Sequence, residues 1–176
     1  MRIEKLIREY DVAVRWRAFP LHPETPEEGM TFEQLFAGRP MDIQGTMQRM
    51  RRMAQDLGLP FEEHDRLYNT RLAQELGLWA ESRGLGEPFH SAVFRAYFAD
   101  GKNIGEIPVL VKLAASVGLP GDEAEKVLVK GTFKAAVDED WAVSQAMQVT
   151  AVPTFIINQS RLVGAQSYET LQGLME

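Results

Sequence analysis

Along most of this chain, apolar residues recur at spacings of three and four, the repeat of a helix with one buried face. Ile3, Leu6 and Ile7 begin the pattern and predict a helix over 3–10, which Asp11 breaks. Thr31 with Gln34 has the form of a capping box and opens a short helix to Ala37. Asp42 caps a longer helix ending before Gly58, with Met47, Met50, Ala54 and Leu57 as its stripe. That spacing favours helix core over an adaptable methionine-lined peptide groove. Asn69 caps a helix through Ser82, with Leu72, Leu76 and Trp79 inward and Gly84 beyond its end. Behind a first-turn Pro88 come Phe89, Ala92, Val93, Ala96 and Tyr97, a broad apolar face. Pro108 starts a helix with Leu110, Leu113, Ala114 and Val117 inward. Asp122 with Glu125 opens another through Val129, and Thr132 opens one reaching about Gln148.

Two stretches follow a different rule. Val12 to Phe19 alternates, with Val12, Val14 and Trp16 on one side and Ala13, Arg15 and Arg17 on the other. This predicts a strand with one buried face. Val152 to Ile157 is apolar and β-branched but carries Pro153 near its start. Proline lacks a ladder N–H and belongs at the entry of a strand, which leaves Thr154 to Ile157 as the strand itself. Asn158 to Ser160 then form a turn, and Arg161 to Val163 return as a second strand. Gly164 ends it, and Ser167 caps a terminal helix through Leu174.

Composition narrows the class. The 176 residues are 45% hydrophobic and 25% charged, which suits one domain or one domain with a large insertion. A net charge of −6 argues against nonspecific binding to nucleic acid or an anionic membrane. No 18-residue apolar run and no secretory leader pattern is visible, so the expected location is cytoplasmic. There is no cysteine, and so no disulfide, thiolate or cysteine-ligated metal within the chain.

Other chemistry is sparse. His22, His64 and His90 lack the helical spacing of a zinc motif. His64 with Glu62, Glu63 and Asp65 reads as a solvated turn, and His90 as an exposed or capped helix residue. No metal site is expected. Asp138, Glu139 and Asp140 are consecutive and point in different directions, so they do not form a catalytic pair. Phosphate-cradling and serine-hydrolase signatures are absent.

The closing run VTAVPTFIINQSRLVGAQSYETLQGLM resembles the C-terminal half of a thioredoxin fold, in the DsbA-like branch that includes FrnE-type oxidoreductases and 2-hydroxychromene-2-carboxylate isomerases. WRAFPLHPETPEEG and FRAYFADGKNIGEIPVLVKLAASVGL resemble other segments of that family, in the same order. The resemblance implies an α/β thioredoxin-like fold with a large all-helical insertion. It places the thioredoxin-like part at 1–30 and 148–176 and the helical insertion at 31–147. It also implies a cis Val152–Pro153 bond, with Ala151, Val152 and Pro153 holding an extended thiol substrate as an added strand. The family's first strand and Cys-x-x-Cys have no counterpart here, and the expectation is an N-terminally truncated chain. The function implied is that of a thiol–disulfide oxidoreductase without its redox motif. The alternatives are a glutathione-dependent isomerase or transferase, and a cysteine-free binding module. The expected partner is a thiol or disulfide peptide or glutathione, with no cofactor, and self-association through open strand edges is a further expectation.

Overall fold

A computed structural model describes residues 2–38 and 40–175. In chain order the elements are α1 (Arg2–Glu9), β1 (Met30–Thr31), α2 (Phe32–Leu35), α3 (Ile43–Asp56), β2 (Arg66–Leu67), α4 (Arg71–Ser82), α5 (Gly86–Phe98), α6 (Ile107–Ser116), α7 (Gly121–Lys130), α8 (Lys134–Ala146), β3 (Thr154–Ile157), β4 (Ser160–Val163) and α9 (Tyr168–Gln172). They divide into two compact units. One is Met1–Leu21 with Asp138–Glu176, and the other is His22–Val137.

The His22–Val137 unit is built on helices. Leu76, Trp79 and Ala80 of α4 meet Phe89, Val93 and Ala96 of α5, Leu110 and Ala114 of α6, and Ala124, Val127 and Leu128 of α7. Leu76, Phe89 and Leu110 are fully buried, so the predicted inward faces of α4, α5 and α6 are where the core sits. Gly131 ends α7 with a φ of 60°, the left-handed cap that suits glycine. Thr31 and Gln34 form the reciprocal capping box at α2. Asp42 caps α3 by accepting the Gly45 N–H at 2.8 Å. Asn69 works differently from the expected cap: Thr70 is the cap residue of α4. The Asn69 side chain instead accepts the Arg71 N–H at 2.9 Å and donates to the Thr25 carbonyl at 2.7 Å, tying the proline-rich loop to α4. Asp122 is likewise inside the first turn of α7, behind Pro120 at the cap position.

Three expectations change in this unit. Met30↔Leu67 and Thr31↔Arg66 make a two-residue antiparallel ribbon too short to show a periodicity. His90 is half-buried, and its ring packs beside Gly77, where a Cβ would meet Cε1 at an ordinary contact distance of 3.6 Å. Burial lowers the His90 pKa, against an opposing pull from Glu87 and Glu81. Finally, α3 buries none of its residues, and Met50, Met53 and Leu57 are exposed. The methionine stripe is therefore not core.

In the other unit, the extended stretch over 12–19 joins no ladder among the described residues. This corrects the strand expectation. A strand needs a hydrogen-bonded neighbour; here side chains of α8 take that place. Asp140 accepts from Arg17 Nη1 at 2.6 Å and from the Ala18 N–H at 3.0 Å. Ser144 Oγ donates to the Ala18 carbonyl at 3.4 Å. Asp140 is buried, at 3% exposure, whereas Asp138 and Glu139 are exposed. Leu6 and Leu171 are the buried apolar residues where α1 and α9 pack. Lys5 Nζ lies 3.8 Å from the Tyr168 ring centre, and the Tyr168 hydroxyl donates to Glu9, a bond that pushes the phenol pKa up to about 12. Ser167 caps α9, as its position implies.

Candidate functional site

The loop between α8 and β3 is fixed from both sides. At its start, Arg161 of β4 donates from Nη1 to the Gln148 carbonyl at 3.2 Å and from Nη2 to the Met147 carbonyl. These carbonyls lie just past the end of α8, where orphan acceptors need partners. Gln148 takes a φ of 53°, and the Val149 N–H returns to the Ser144 carbonyl at 3.0 Å. At its end, the Thr154 hydroxyl donates to the Ala151 carbonyl at 2.7 Å. Pro153 enters the hairpin through a cis Val152–Pro153 bond, and its carbonyl accepts the Gly164 N–H at 2.8 Å. With no N–H of its own, Pro153 fits at the point where the ladder begins.

The hairpin is in regular antiparallel register from Thr154↔Val163 to Ile157↔Ser160. Its two-residue connection is Asn158 and Gln159, and Asn158 has a φ of 55°, a conformation asparagine tolerates better than most residues. Strand alternation puts Phe155 and Leu162, both half-buried, on one face. Ile156 and Val163 fall on the other, where both are exposed. Among the described residues β3 pairs only with β4, so one edge of β3 carries no ladder.

Within this frame, Ala151 is half-buried, while Val152 and Pro153 are exposed. Val152 is 45% exposed. Among the described residues, no hydrogen bond reaches its main-chain N–H or carbonyl. The three predicted residues thus form a rigid, adjacent set with one free peptide donor and one free acceptor. The sequence did not reveal the ties that hold them. Thr154, Arg161 and Gly164 read only as strand and turn residues, although a hydroxyl directly after the proline and an arginine one hairpin away are the groups that reach these carbonyls.

Other candidates stay apart from this loop. His22 Nδ1 lies 3.5 Å from Glu24, and the His64 ring packs edge-on against Tyr97 with 4.4 Å between centroids. Burial pushes the Tyr97 phenol up to about 12. No group of three or more histidine, aspartate or glutamate side chains that could hold a metal occurs among the described residues.

A signature described as a DSBA-like thioredoxin domain matches residues 1–176. The chain belongs to this DSBA-like family. Its fold is the α/β thioredoxin-like fold with a helical insertion. This DSBA-like chain is 31% identical over 175 residues to the uncharacterized protein YwbO of Bacillus subtilis, covering 96% of this chain and 84% of that protein. Among solved structures, a probable DsbA oxidoreductase from Streptomyces coelicolor superposes with a TM-score of 0.88 at 26% identity, over 99% of this chain and 80% of that one. Two others share the fold at lower identity. One is a 2-hydroxychromene-2-carboxylate isomerase, with a TM-score of 0.74, 18% identity, and 99% and 83% covered. The other is the cytosolic disulfide reductase DsbM from Pseudomonas aeruginosa, solved with GSH, with a TM-score of 0.55, 24% identity, and 73% and 68% covered. No helix among the described residues is long and apolar enough to cross a membrane.

Proposed function

We propose that this chain is a FrnE-type member of the DSBA-like family and that Ala151, Val152 and Pro153 hold an extended thiol or disulfide substrate, a peptide or glutathione. The observation that carries the reading is the free peptide N–H and carbonyl of exposed Val152 between fixed neighbours. An extended peptide laid along that residue completes a short stretch of β-pairing. Because Thr154, Arg161 and Gly164 already hold the loop, little ordering cost is left for binding to meet.

Exchange at such a site needs a thiolate that attacks one sulfur of the disulfide and releases the other as a thiolate. None of the 176 residues is a cysteine, so their own part is to hold the substrate. A cytoplasmic setting belongs to the same proposal and is open to cell fractionation.

Titration calorimetry with an extended peptide disulfide, and separately with oxidised and reduced glutathione, tests the reading. Saturable binding is expected for at least one of them. Thr154→Val, which frees the Ala151 carbonyl, is expected to weaken it about fivefold, the equivalent of one neutral hydrogen bond. Unchanged affinity in that variant would move the site away from this loop.

A further inference from the structure

The chain has no cysteine, so its only sulfur is in its eight methionines. A thioether is then the side-chain group most open to mild two-electron oxidation, and access by the oxidant governs how fast it reacts. Half of these sulfurs lie close together in sequence, at Met41, Met47, Met50 and Met53. Met53 is 59% exposed, Met41 42% and Met50 38%, whereas Met30, Met47 and Met175 are half-buried.

Met50 and Met53 are three residues apart on α3 and so are neighbours on its surface. Oxidation turns a flexible apolar side chain into a polar one, which disrupts a core. On α3 it does not reach a core, because the helix buries none of its residues. The fully buried Leu76, Phe89 and Leu110 belong to α4, α5 and α6. A donor for the product also stands nearby. Arg49 is four residues before Met53, again a neighbour spacing, and donates from Nη2 to the Thr46 hydroxyl at 2.7 Å. Its guanidinium carries further N–H groups that a sulfoxide oxygen accepts. Met147, also exposed, is a single sulfur, and the arginine near it differs: Arg161 gives Nη1 and Nη2 to the Gln148 and Met147 carbonyls.

We infer that Met50 and Met53 form a reversible oxidation site for hydroperoxides. In each event a sulfur lone pair attacks one oxygen of hydrogen peroxide. The S–O bond forms, the O–O bond breaks, and the second oxygen leaves as water after taking a proton. Sulfur gives up an electron pair and the peroxide is reduced. A methionine sulfoxide reductase reverses the change: a pair of thiols is oxidised to a disulfide while the sulfoxide oxygen leaves as water. The apolar face of α3 thus becomes polar and returns, with the fold kept. The inference does not depend on substrate binding at Val152.

The full chain is treated with dilute hydrogen peroxide, quenched with free methionine, and followed sulfur by sulfur by mass spectrometry of its peptides. Met53 and Met50 are expected to oxidise about fivefold faster, or more, than Met30, Met47 and Met175, a spread that vanishes in denaturant. With both sulfoxides in place, the circular dichroism and urea midpoint are expected to stay unchanged, while retention on a phenyl column falls. Methionine sulfoxide reductases A and B with a thiol reductant are expected to restore the retention. The double variant Met50→Leu, Met53→Leu conserves volume at exposed positions and is expected to lose most of the retention change under peroxide. Equal oxidation rates across the folded chain, or a urea midpoint lowered by the two sulfoxides, would overturn the inference. So would sulfoxides that the reductases leave in place, or a double variant whose retention falls as far as that of the unmodified chain.

Discussion

Removing the Asp140 carboxylate is expected to release the stretch over 12–19 from α8. The carboxylate is 3% exposed and holds Arg17 at 2.6 Å and the Ala18 N–H at 3.0 Å. In Asp140→Ala the half-buried Ala18 N–H loses its acceptor, which costs toward the lower end of the about 1–3 kcal/mol of a fully buried donor. The Arg17 side chain is 35% exposed and can rehydrate, so its share is discounted toward the value of a surface pair, below about 1 kcal/mol. The sum is about 2 kcal/mol, and most of it belongs to the main-chain donor. Hydrogen exchange followed by NMR reads this locally, and the Ala18 amide is expected to exchange about 30-fold faster, since each 1.36 kcal/mol is a factor of ten. Asp140→Asn keeps an acceptor for the amide and is expected to lose clearly less. An acceleration below about threefold in Asp140→Ala, or equal effects in the two variants, would refute the assignment of Asp140 as the anchor in place of a β-ladder.

Two further outcomes follow from particular contacts. Gly29 has a φ of 76°, and a Cβ there would lie 2.5 Å from the Leu67 carbonyl oxygen, so Gly29→Ala is expected to lower the urea midpoint, by about 1–3 kcal/mol in stability, whereas Gly58→Ala, which meets nothing, is expected to lose less. His90 is held neutral by burial, with a folded pKa below the unfolded 6.5. Its contribution is therefore complete above 6.5 and is lost as pH falls from there through the folded value, because the unfolded chain takes up the proton first. Stability measured from pH 7.5 down to 5 is expected to fall with a slope that His90→Phe reduces; an unchanged slope would contradict the burial argument.

Much of the fold was legible because helices advertise themselves by period. The inward positions of α4, α5 and α6 are buried as their spacing implies, and the hairpin follows from Pro153, the β-branched run and Asn158. The stretch over 12–19 was misread because alternation reports a preference for extended backbone and says nothing of what pairs with it. Asp138, Glu139 and Asp140 point in different directions, as consecutive helix residues must, but the sequence does not tell which of them faces inward; the buried one, Asp140, is the anchor. The α3 stripe shows the converse: its period is correct for a buried face, yet Met47 and Ala54 are only half-buried and Met50 and Leu57 are exposed. At the candidate loop, the identity of Ala151, Val152 and Pro153 came from resemblance. The free peptide group of Val152 emerged only once the partners of its neighbours were known.

Whether the loop around Pro153 holds substrate is decided by amide exchange at Val152 with and without an extended peptide disulfide. The Val152 N–H, without a partner among the described residues of the free chain, is expected to become protected at least tenfold when the peptide saturates, while the Phe155 and Ile157 amides change little. Saturable binding with no protection at Val152 would contradict it.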